Sequence, residues 1–460
     1  MLKINTNLIP SSSNTFLVGG TVRDIIIGVT PKDIDIVTLD NPKQLAQAIA
    51  ANTRRRIIEL GKPGMKIFRI VTKEQTYDIA PANGKSIKED LSNRDFTINA
   101  MAVSLDKNNG NGKIIDPHKG IDDLNNKTIR MISSDNLKSD PVRLLRAYRI
   151  ASRLGFSINS ETSHAISEAS SRINTSAAER IKDELFKLFN TPHSHRYILM
   201  MNDAGLLTAI FPELIPLKDC SQNLFHKYDA FEHTLKAYGF LENILHSPDS
   251  QISEIINLKS FLPSPNHYAL LKYTILLHDI GKPRTRSIDA KGRIHFYNHE
   301  KISADMTIKI NQRLRLSNNE QDYVDFIIRN HLRPLSLFNA YNQNRLSKKA
   351  VSRFFLTCGQ MTKDILIHTA ADLSGKGINK NTRAFIKFLN FLIIRYNDSF
   401  LPKKTIPPLI DGDDLINEFG LTPSPLFSKI LRHVEEERFS DNITTRNEAL
   451  ILVKDFLNLK

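Results

Sequence analysis

Two carboxylates separated by one apolar residue, Asp33-Ile34-Asp35, follow a pair of glycines, with twelve residues in between. In a strand, residues i and i+2 project from the same face, so the two carboxylates would point together. That arrangement can hold two Mg²⁺ ions beside a triphosphate, where the metals activate an attacking hydroxyl and neutralise the leaving pyrophosphate. A solvated strand face can show the same Asp-x-Asp pattern, so it is the combination with the upstream glycines that favours a metal site.

Those glycines, Gly19-Gly20, follow a short apolar segment and precede a helical one. Such a turn directs backbone N–H groups and the positive end of a helix at an anion, typically a phosphate. Arg23, one turn into the helix, would add a charged donor. The alternative is a tight turn without a ligand. The spacing from the glycines to Asp33 favours a turn that binds phosphate.

A second set of potential ligands consists of histidines and carboxylates in the later part of the chain. Neutral imidazoles and carboxylates form a mixed nitrogen and oxygen site that suits Mn, Fe, Ni or Mg with open water positions. The members are His233, the adjacent His278-Asp279 and Asp372, with His299 and His331 as candidates for a second metal or for phosphate. The alternative for any one histidine is ordinary packing in a helix.

The elements that position these residues change character along the chain. Strand-like and helix-like segments alternate over residues 1–133, which predicts a mixed α and β domain. After Asp135, apolar residues recur at helical spacing, which predicts an all-α remainder. The Lys107–Lys113 stretch, rich in Asn and Gly, is typical of a turn between strands. The predicted strands are 16–19, 34–38, 56–60, 66–71 and 77–80, and the first two helices are 22–27 and 42–51.

Composition limits the class of protein. The 460 residues include 63 Lys and Arg against 49 Asp and Glu, and the net charge of +14 favours a polyanionic partner such as RNA or DNA. Two cysteines exclude a disulfide framework and favour a reducing cytoplasm. The polar N-terminus does not resemble a signal peptide, and no apolar run approaches the roughly 18 residues of a membrane helix. We therefore expect a cytoplasmic protein without a membrane partner.

The glycine pair, the spacer and Asp33-Ile34-Asp35 together resemble the signature of the DNA polymerase β-like nucleotidyltransferase superfamily. The resemblance implies Mg²⁺ at Asp33 and Asp35 and a third catalytic carboxylate on a neighbouring strand. Asp78, in Tyr77-Asp78-Ile79-Ala80, is the candidate for that third position.

Four further segments extend the resemblance to the class II tRNA nucleotidyltransferase and bacterial poly(A) polymerase family. The matching segments, in order after residues 19–24, are 94–102, 116–124, 140–149 and 179–185. The family implies an α+β head of the polymerase β-like nucleotidyltransferase fold, followed by a helical neck. It also implies addition of C and A nucleotides to the 3′ end of tRNA from CTP and ATP.

The resemblance also implies roles for single residues. Asp140 and Arg143 would read the incoming base as a protein template, because an Asp and an Arg together offer acceptors and forked donors. Arg146 and Arg149 would bind phosphate or support that pair; the alternative is a basic neck helix that forms surface ion pairs. Arg94 would contact the triphosphate and Asp95 the ribose, unless Asp95 is a helix N-cap. Glu179 and Glu184 are expected to tie neck helices together.

Three departures from the family pattern bear on specificity. Asn93 stands where the family commonly has an arginine, and Ser139 stands where it commonly has a glutamate. The segment between Asp78 and Asp90 is short, in a region where a flexible element helps the family switch from C to A. A CC-only or A-only enzyme and a poly(A) polymerase therefore stay open as alternatives.

The order His233, His278-Asp279, Asp372 looks like the signature of metal-dependent HD phosphohydrolases, which implies a second activity on phosphate ends. A hydrolase whose head only binds RNA is the alternative of another class. The predicted domains are a nucleotidyltransferase head (1–133), a base-selecting neck (134–224), an HD domain (225–395) and a C-terminal helical segment (396–460). The sequence leaves the oligomeric state open.

Overall fold

The computed structural model describes residues 8–61, 66–106, 113–221, 229–246, 262–377 and 379–458. The turn predicted at Lys107–Lys113 lies outside these residues except for Lys113. Tertiary contacts divide the chain into two compact units, Met1–Ile210 and Phe211–Lys460. The finer domain boundaries at residues 133, 224 and 395 stay a prediction.

The first unit begins with alternating strands and helices and ends with helices. Its elements are β1 (Thr15–Val18), α1 (Gly19–Ile26), β2 (Asp33–Thr38), α2 (Pro42–Thr53), β3 (Ile57–Leu60), β4 (Ile67–Val71), β5 (Thr76–Pro81), α3 (Ile87–Ser92), β6 (Ala102–Ser104), β7 (Ile114–Ile115), α4 (Gly120–Asn125), β8 (Thr128–Ile129), α5 (Ser134–Ser139), α6 (Val142–Leu154), β9 (Ser157–Ile158), α7 (Ser160–Ala169), α8 (Ala178–Phe189), α9 (Ser194–Asp203) and α10 (Leu206–Ile210). The predicted early strands are confirmed, with one correction. Gly19 belongs to the start of α1 and not to the strand, because its positive φ of 65° turns the chain there.

Within the described residues, seven strands form one mixed sheet in the order β3-β4-β5-β2-β1-β6-β7. The central pair β2 and β5 is parallel, and its register places Asp35 opposite Asp78. Ile34 and Ile36 of β2 are buried on one face of the sheet, and the strand alternation leaves Asp33 and Asp35 on the other. The core therefore holds the carboxylates at fixed positions through the apolar residues between them.

Helices α6 and α8 pack against each other through apolar stripes. Leu144, Leu145 and Tyr148 of α6 and Leu185 and Leu188 of α8 are all buried. Arginines also recur along α6 at intervals of three residues, at positions 143, 146 and 149, so the packing of the stripe decides which of them turn towards α8. The short strands β8 (Thr128–Ile129) and β9 (Ser157–Ile158) pair in parallel, and β9 is a departure from the all-α prediction for the residues after Asp135.

Among its described residues, the second unit is helical, as predicted, apart from one small hairpin. Its elements are α11 (Ala230–His246), α12 (Tyr268–Leu277), α13 (Lys282–Thr285), β10 (Arg286–Ile288), β11 (Ile294–Phe296), α14 (His299–Arg313), α15 (Asn318–Asn330), α16 (Arg333–Asn342), α17 (Lys348–Cys358), α18 (Thr362–Gly375), α19 (Lys380–Arg395), α20 (Leu401–Lys404), α21 (Gly412–Phe419), α22 (Pro425–Phe439) and α23 (Arg446–Phe456). Helices α11 and α18 lie in close contact, and Gly375 permits it because an added Cβ would lie 3.0 Å from Ala237. No described helix is long and apolar enough to cross a bilayer.

Candidate active site and metal centre

Three carboxylates meet on the solvent-facing side of the parallel strands β2 and β5. Asp33 is exposed, and Asp35 and Asp78 are partly buried neighbours across the two strands. We call Asp33, Asp35 and Asp78 the head site. Burial raises the pKa of Asp35 to about 6; Arg94 opposes this shift, whereas Asp78 and Asp33 add to it. A carboxylate with a raised pKa and two further carboxylates beside it suits a divalent cation, which removes the repulsion between them.

Arg69 is a partner of the head site that the sequence interpretation missed. Its Nε and Nη2 atoms donate to the two carboxylate oxygens of Asp78, both at 2.7 Å. Arg69 lies opposite Asp78 in the antiparallel pair of β4 and β5, and a strand alignment could have found it. The role of Asp78 as a metal ligand stays a prediction, because in this arrangement the arginine occupies both of its oxygens.

The glycine turn lies directly beneath the charged groups. A Cβ on Gly19 would lie 2.8 Å from Nη1 of Arg94 and 3.4 Å from Oδ2 of Asp35. A residue with a Cβ would be strained at the positive φ of 65° of Gly19, and Nη1 of Arg94 would have to move aside for it. The turn opens into a cleft of about 270 Å³ lined by Gly19, Gly20, Asp35, Asn83, Asp90, Asn93, Arg94, Asp95, Asn99, Asp140, Arg143 and Arg146.

Two of the predicted nucleotide-binding residues are held by ion pairs at this cleft. Arg94 binds Asp90 one helical turn away, with Nη2 at 2.9 Å from the carboxylate. Asp95 binds Nε of Arg146 at 2.8 Å and accepts from the N–H of Phe96. Burial tends to raise the pKa of Asp95, but Arg146 and these hydrogen bonds hold it below its usual value. Asp95 is not a helix N-cap, because the short 3₁₀ helix that follows is capped at Phe96.

Arg23 lies on the core side of the turn. Its guanidinium donates to Asp24 and to Asn99, the latter at 2.7 Å, and the residue is buried. Asn99 in turn donates to Asp95 at 3.1 Å. These contacts place Arg23 in a hydrogen-bonded chain beneath the cleft, and it is absent from the cleft lining among the described residues. Direct binding of nucleotide by Arg23 stays a prediction that this geometry does not favour.

The arginines of α6 divide into two groups. Arg143 and Arg146 line the cleft, whereas Arg149 forms a buried ion pair with Glu184 of α8. That pair matches the expectation that Glu184 ties the neck helices together. It also leaves the nucleotide-binding role of Arg149 without geometric support, because α6 turns the side chain away from the cleft.

Asp140 has a partner that was not singled out from the sequence. Nη1 and Nη2 of Arg180 donate to its two carboxylate oxygens at 2.8 Å each, and Nε of Arg143 lies 3.6 Å from it. A bidentate arginine fixes the plane of a carboxylate. Arg180 therefore sets the orientation of Asp140 before any base is present.

In the second unit, four predicted ligands converge in the core. His233 on α11, His278-Asp279 after α12 and Asp372 on α18 place one ligand atom each within 4.8 Å of one another, and all four are buried. We call these four residues the histidine site. Nε2 of His233 lies 2.8 Å from Asp372, and Nε2 of His278 lies 3.1 Å from Asp279.

A second group shares Asp279 with the first. Asp279, His299 and His331 also place ligand atoms within 4.8 Å of one another, and Nε2 of His299 lies 3.3 Å from Asp279. His278, His299 and His331 each donate Nδ1–H to a backbone carbonyl three residues earlier, at 2.8, 2.8 and 2.7 Å. This pattern leaves each Nε2 as a lone-pair donor, as in metal-binding histidines.

Electrostatics agree with a cation at this position. Burial opposes a charge on His278, yet Asp279 and Asp372 together raise its pKa to about 9. Burial and the neighbouring His278 lower the pKa of His331 to about 3, and its Nε2 has no hydrogen-bond partner among the described residues. A buried nitrogen without a partner is costly unless something binds it. The donor set therefore fits one or two divalent metals.

His368 is a buried neighbour of this cluster that the sequence interpretation missed. Its ring centroid lies 5.4 Å from that of His278 and 5.7 Å from that of His331. His368 precedes Asp372 by one turn of α18, and that spacing on one helix face was the signal that could have found it. Burial holds its pKa well below the usual value, so it is a neutral imidazole.

Comparison with known proteins bears on both units. Residues 15–130 match the poly A polymerase head domain, residues 155–217 match a probable RNA- and SrmB-binding site of polymerase A, and residues 230–367 match the HD domain. The histidine site lies partly within the last match, since Asp372 falls just beyond its end.

Similar proteins cover nearly the whole chain. An A-adding tRNA nucleotidyltransferase of Deinococcus radiodurans is 29% identical over 99% of this chain and 98% of its own length. A CC-adding tRNA nucleotidyltransferase of Thermus thermophilus is 27% identical over 95% of this chain and 92% of its own. The Thermotoga maritima CCA-adding enzyme, solved with tRNA, shares the fold with a TM-score of 0.61 at 20% identity, covering 97% of this chain and 92% of that one. The chain thus contains segments that match a poly A polymerase head domain and an HD domain, and it is similar over nearly its whole length to tRNA nucleotidyltransferases.

Proposed function

We propose that the protein adds C and A nucleotides to the 3′ end of tRNA, without a nucleic-acid template, from CTP and ATP. The observation that carries the proposal is the head site beside a cleft lined by Arg94, Arg143 and Arg146. The names of the similar proteins, which are tRNA nucleotidyltransferases, support the same reaction. The net charge of +14 suits an RNA substrate.

In the proposed reaction the tRNA 3′-hydroxyl attacks the α-phosphate of the nucleotide, and pyrophosphate leaves. Asp33 and Asp35 would hold Mg²⁺, and Asp78 would join them if Arg69 releases it. When bound there, Mg²⁺ lowers the pKa of the attacking hydroxyl and neutralises charge on the leaving group. Arg94 binds the triphosphate, and the backbone N–H groups at the start of α1 orient it.

Base selection would fall to Asp140 and Arg143. The carboxylate accepts from the exocyclic amine that cytosine and adenine share, and the guanidinium donates to ring or carbonyl acceptors. Arg180 supports this role because it holds Asp140 in one orientation. We expect Arg143→Ala to alter the choice between C and A, or weaken both, while metal binding persists; unchanged nucleotide preference and affinity would contradict the template role.

A CC-only or A-only enzyme is the second candidate, favoured by the short connection between β5 and α3. Residues 82–86 are held closely: the N–H of Asn83 donates to Asp90, and the side chain of Asn93 donates to the carbonyl of Asn83. A connection held in this way suits one nucleotide choice better than a switch between two. The A-adding and CC-adding relatives support this candidate.

One experiment separates the candidates. Purified protein is offered tRNAs that lack the last one, two or three nucleotides, with CTP, ATP or both, and the products are sequenced. Complete CCA ends support the first proposal, ends that stop at CC or gain only A support the second, and a homopolymer supports a poly(A) polymerase. No incorporation with any acceptor would favour a hydrolase whose head only binds RNA.

The histidine site supports a further, metal-dependent phosphohydrolase activity. Its nitrogen and oxygen donors suit Mn, Ni, Fe or Mg, which would supply a polarised water. Lys282 and Lys376 line the same cavity and would bind the phosphate. Hydrolysis of phosphate esters by metal-loaded protein, and its loss in His233→Ala, tests the activity.

We also propose a cytoplasmic location, which the free, buried Cys220 and Cys358 support.

A further inference from the structure

A row of four side chains crosses the sheet from the head site to an edge strand. Asp35 lies opposite Asp78 in the pair of β2 and β5. Arg69 of β4 lies opposite Asp78 in turn, and Ile58 of the edge strand β3 lies opposite Arg69. Residues directly opposite each other in a sheet point to the same face, so all four project on the side of the head site. The row therefore extends the surface of the head site over two further strands.

The part of this surface beyond Asp78 is largely apolar and open to solvent. Ile58 and Val71 are each 47% exposed, and Ile67 is 37% exposed. Ile67 and Val71 stand two residues on either side of Arg69, so they share its face of β4, whereas the alternate residues of that strand are buried. Exposed apolar side chains around a guanidinium suit a partner that carries both apolar groups and negative charge.

The cleft proposed for the nucleotide lies on the other side of β2. Its described lining includes the glycine turn, Arg94 and Asp35, but no residue of β3, β4 or β5. The glycine turn follows β1, and the strand order puts β1 and β5 on opposite sides of β2. In nucleotidyl transfer the attacking and leaving oxygens lie on opposite sides of phosphorus. With pyrophosphate at the glycine turn, the attacking 3′-hydroxyl has to approach from the side of β5 and β4.

Arg69 has to give up its present contacts if Asp78 is to take part in that step. Nε and Nη2 of the arginine bind one carboxylate oxygen each, so both oxygens of Asp78 are engaged. Once released, the guanidinium needs another anion to replace this bidentate contact. The side chain of Arg69 is 42% exposed, so it can turn towards a ligand without unpacking the sheet. On this side of β2 the reaction brings the phosphodiester that precedes the terminal 3′-hydroxyl of the RNA.

We call Ile58, Ile67, Arg69 and Val71 the acceptor face. We propose that the acceptor face binds the last nucleotides of the RNA, and that Arg69 leaves Asp78 to bind the phosphodiester before the terminal 3′-hydroxyl. The inference rests on the nucleotide addition proposed above. Asp78 exchanges a guanidinium for Mg²⁺, and Arg69 exchanges a carboxylate for a phosphate, so each charge keeps a partner. Asp78 therefore becomes a metal ligand only when an acceptor end is in place.

Neutralising one phosphate tests the contact with Arg69. A tRNA acceptor stem that lacks its last nucleotide is made with either a phosphodiester or a neutral methylphosphonate at its last internucleotide link. Dissociation constants are measured by fluorescence anisotropy in the presence of Mg²⁺. We expect the methylphosphonate to weaken binding to the unaltered protein about tenfold, the effect of one lost charge-assisted contact, and to leave binding to Arg69→Ala unchanged. An equal loss in both proteins would show that Arg69 does not contact this phosphate.

Two further variants test the position of the acceptor face. Ile58→Glu places a negative charge on it and should weaken binding of the acceptor stem about tenfold, because like charges repel. Lys43→Ala removes an exposed cation from α2, which packs against β4 and β5 through their buried residues, and should change the dissociation constant by less than about twofold. If Ile58→Glu bound no more weakly than Lys43→Ala, the RNA would not lie on the acceptor face.

Metal binding tests the exchange at Asp78 without turnover. In calorimetric titrations corrected for the stem alone, the acceptor stem should tighten Mg²⁺ binding to the unaltered protein about tenfold, because it draws Arg69 away from the carboxylate. Arg69→Ala should bind Mg²⁺ equally with and without the stem, and equal tightening in this variant would overturn the exchange. Failure of the unaltered protein to extend the ordinary stem refutes the proposed function, whereas extension together with equal methylphosphonate losses refutes only the acceptor face.

Discussion

The two candidate metal sites of this chain differ in the type of their ligands and in how exposed those ligands are. The head site has only carboxylates, and Asp33 is exposed at the edge of an open cleft. The histidine site mixes imidazoles with carboxylates, and all four of its residues are at most 4% exposed. Exposed oxygen ligands suit Mg²⁺ that arrives with each triphosphate, whereas buried nitrogen and oxygen donors suit a transition metal that stays bound.

The two sites also differ in how they balance charge without a metal. At the head site burial raises the pKa of Asp35 to about 6, and the like charges of Asp78 and Asp33 add to this shift. At the histidine site unlike charges neutralise each other, and the pKa of Asp279 lies well below its usual value because His278 and Lys282 outweigh the effect of burial. The negative charge of the head site therefore favours a bound cation, whereas the charges of the histidine site are already balanced by neighbouring groups in the protein core.

The largest effect is expected from removing a head carboxylate. Asp35→Asn should lower nucleotide addition on the order of a thousandfold, because loss of a metal ligand removes several kcal/mol of transition-state stabilisation. The measurement is incorporation of labelled CTP and ATP into tRNA. Asp122→Asn, at an exposed position of α4, is the control and should leave incorporation unchanged. Full activity of Asp35→Asn would show that the head site does not carry the chemistry.

The corresponding substitution at the histidine site removes one of its carboxylate ligands. Asp372→Asn should reduce bound transition metal and lower phosphate-ester hydrolysis by about a hundredfold, since one negative ligand is lost. Nucleotide addition should change by less than about twofold, because this site supplies no ligand to the head chemistry. Metal content is measured by mass spectrometry on purified protein. If both activities fell together in a protein that stays folded by circular dichroism, the comparison between two independent sites would fail.

A smaller effect is expected at the base-reading pair. Arg180→Ala releases Asp140 from its bidentate contact and should lower the preference for CTP and ATP over GTP and UTP by about tenfold, the cost of one lost charge-assisted contact. The readout is the ratio of kcat/KM between nucleotides. Lys187→Ala, an exposed residue on the same helix, is the control. An unchanged ratio would remove Arg180 from base selection.

The last effect, no larger than that of Arg180→Ala, is a pH dependence confined to the head site. The folded state binds a proton on Asp35 more tightly than the unfolded chain, so this group stabilises the fold fully only below the ordinary pKa of 3.8, and that stabilisation is lost as pH rises through about 6. Mg²⁺ competes with that proton, so its affinity should be about tenfold weaker at pH 5 than at pH 7.5. Calorimetric titration measures it, and Asp35→Asn should show a flat profile. A flat profile in the unaltered protein would contradict the raised pKa.

Much of the fold and most of the site residues were predictable because they depend on local spacing. Strand alternation placed Asp33 and Asp35 on one face, and helical periodicity placed the boundaries of α6 correctly at Val142 and Leu154. The order of His233, His278-Asp279 and Asp372 predicted a cluster that the structure brings together. In each case the residue type and its distance along the chain carry the information.

The partners of those residues were decided only by the tertiary structure. Arg69 contacts Asp78 on the neighbouring strand, Arg180 of α8 contacts Asp140 in the connection before α6, and Arg149 pairs with Glu184 instead of turning to the cleft. Arginine side chains are long and flexible, so which carboxylate they bind depends on which elements pack together. Residue types and their spacing along the chain indicate which residues could do chemistry and on which elements they lie. The packing of those elements decided which charges are compensated, because an ion pair depends on distance in space and not on spacing along the chain.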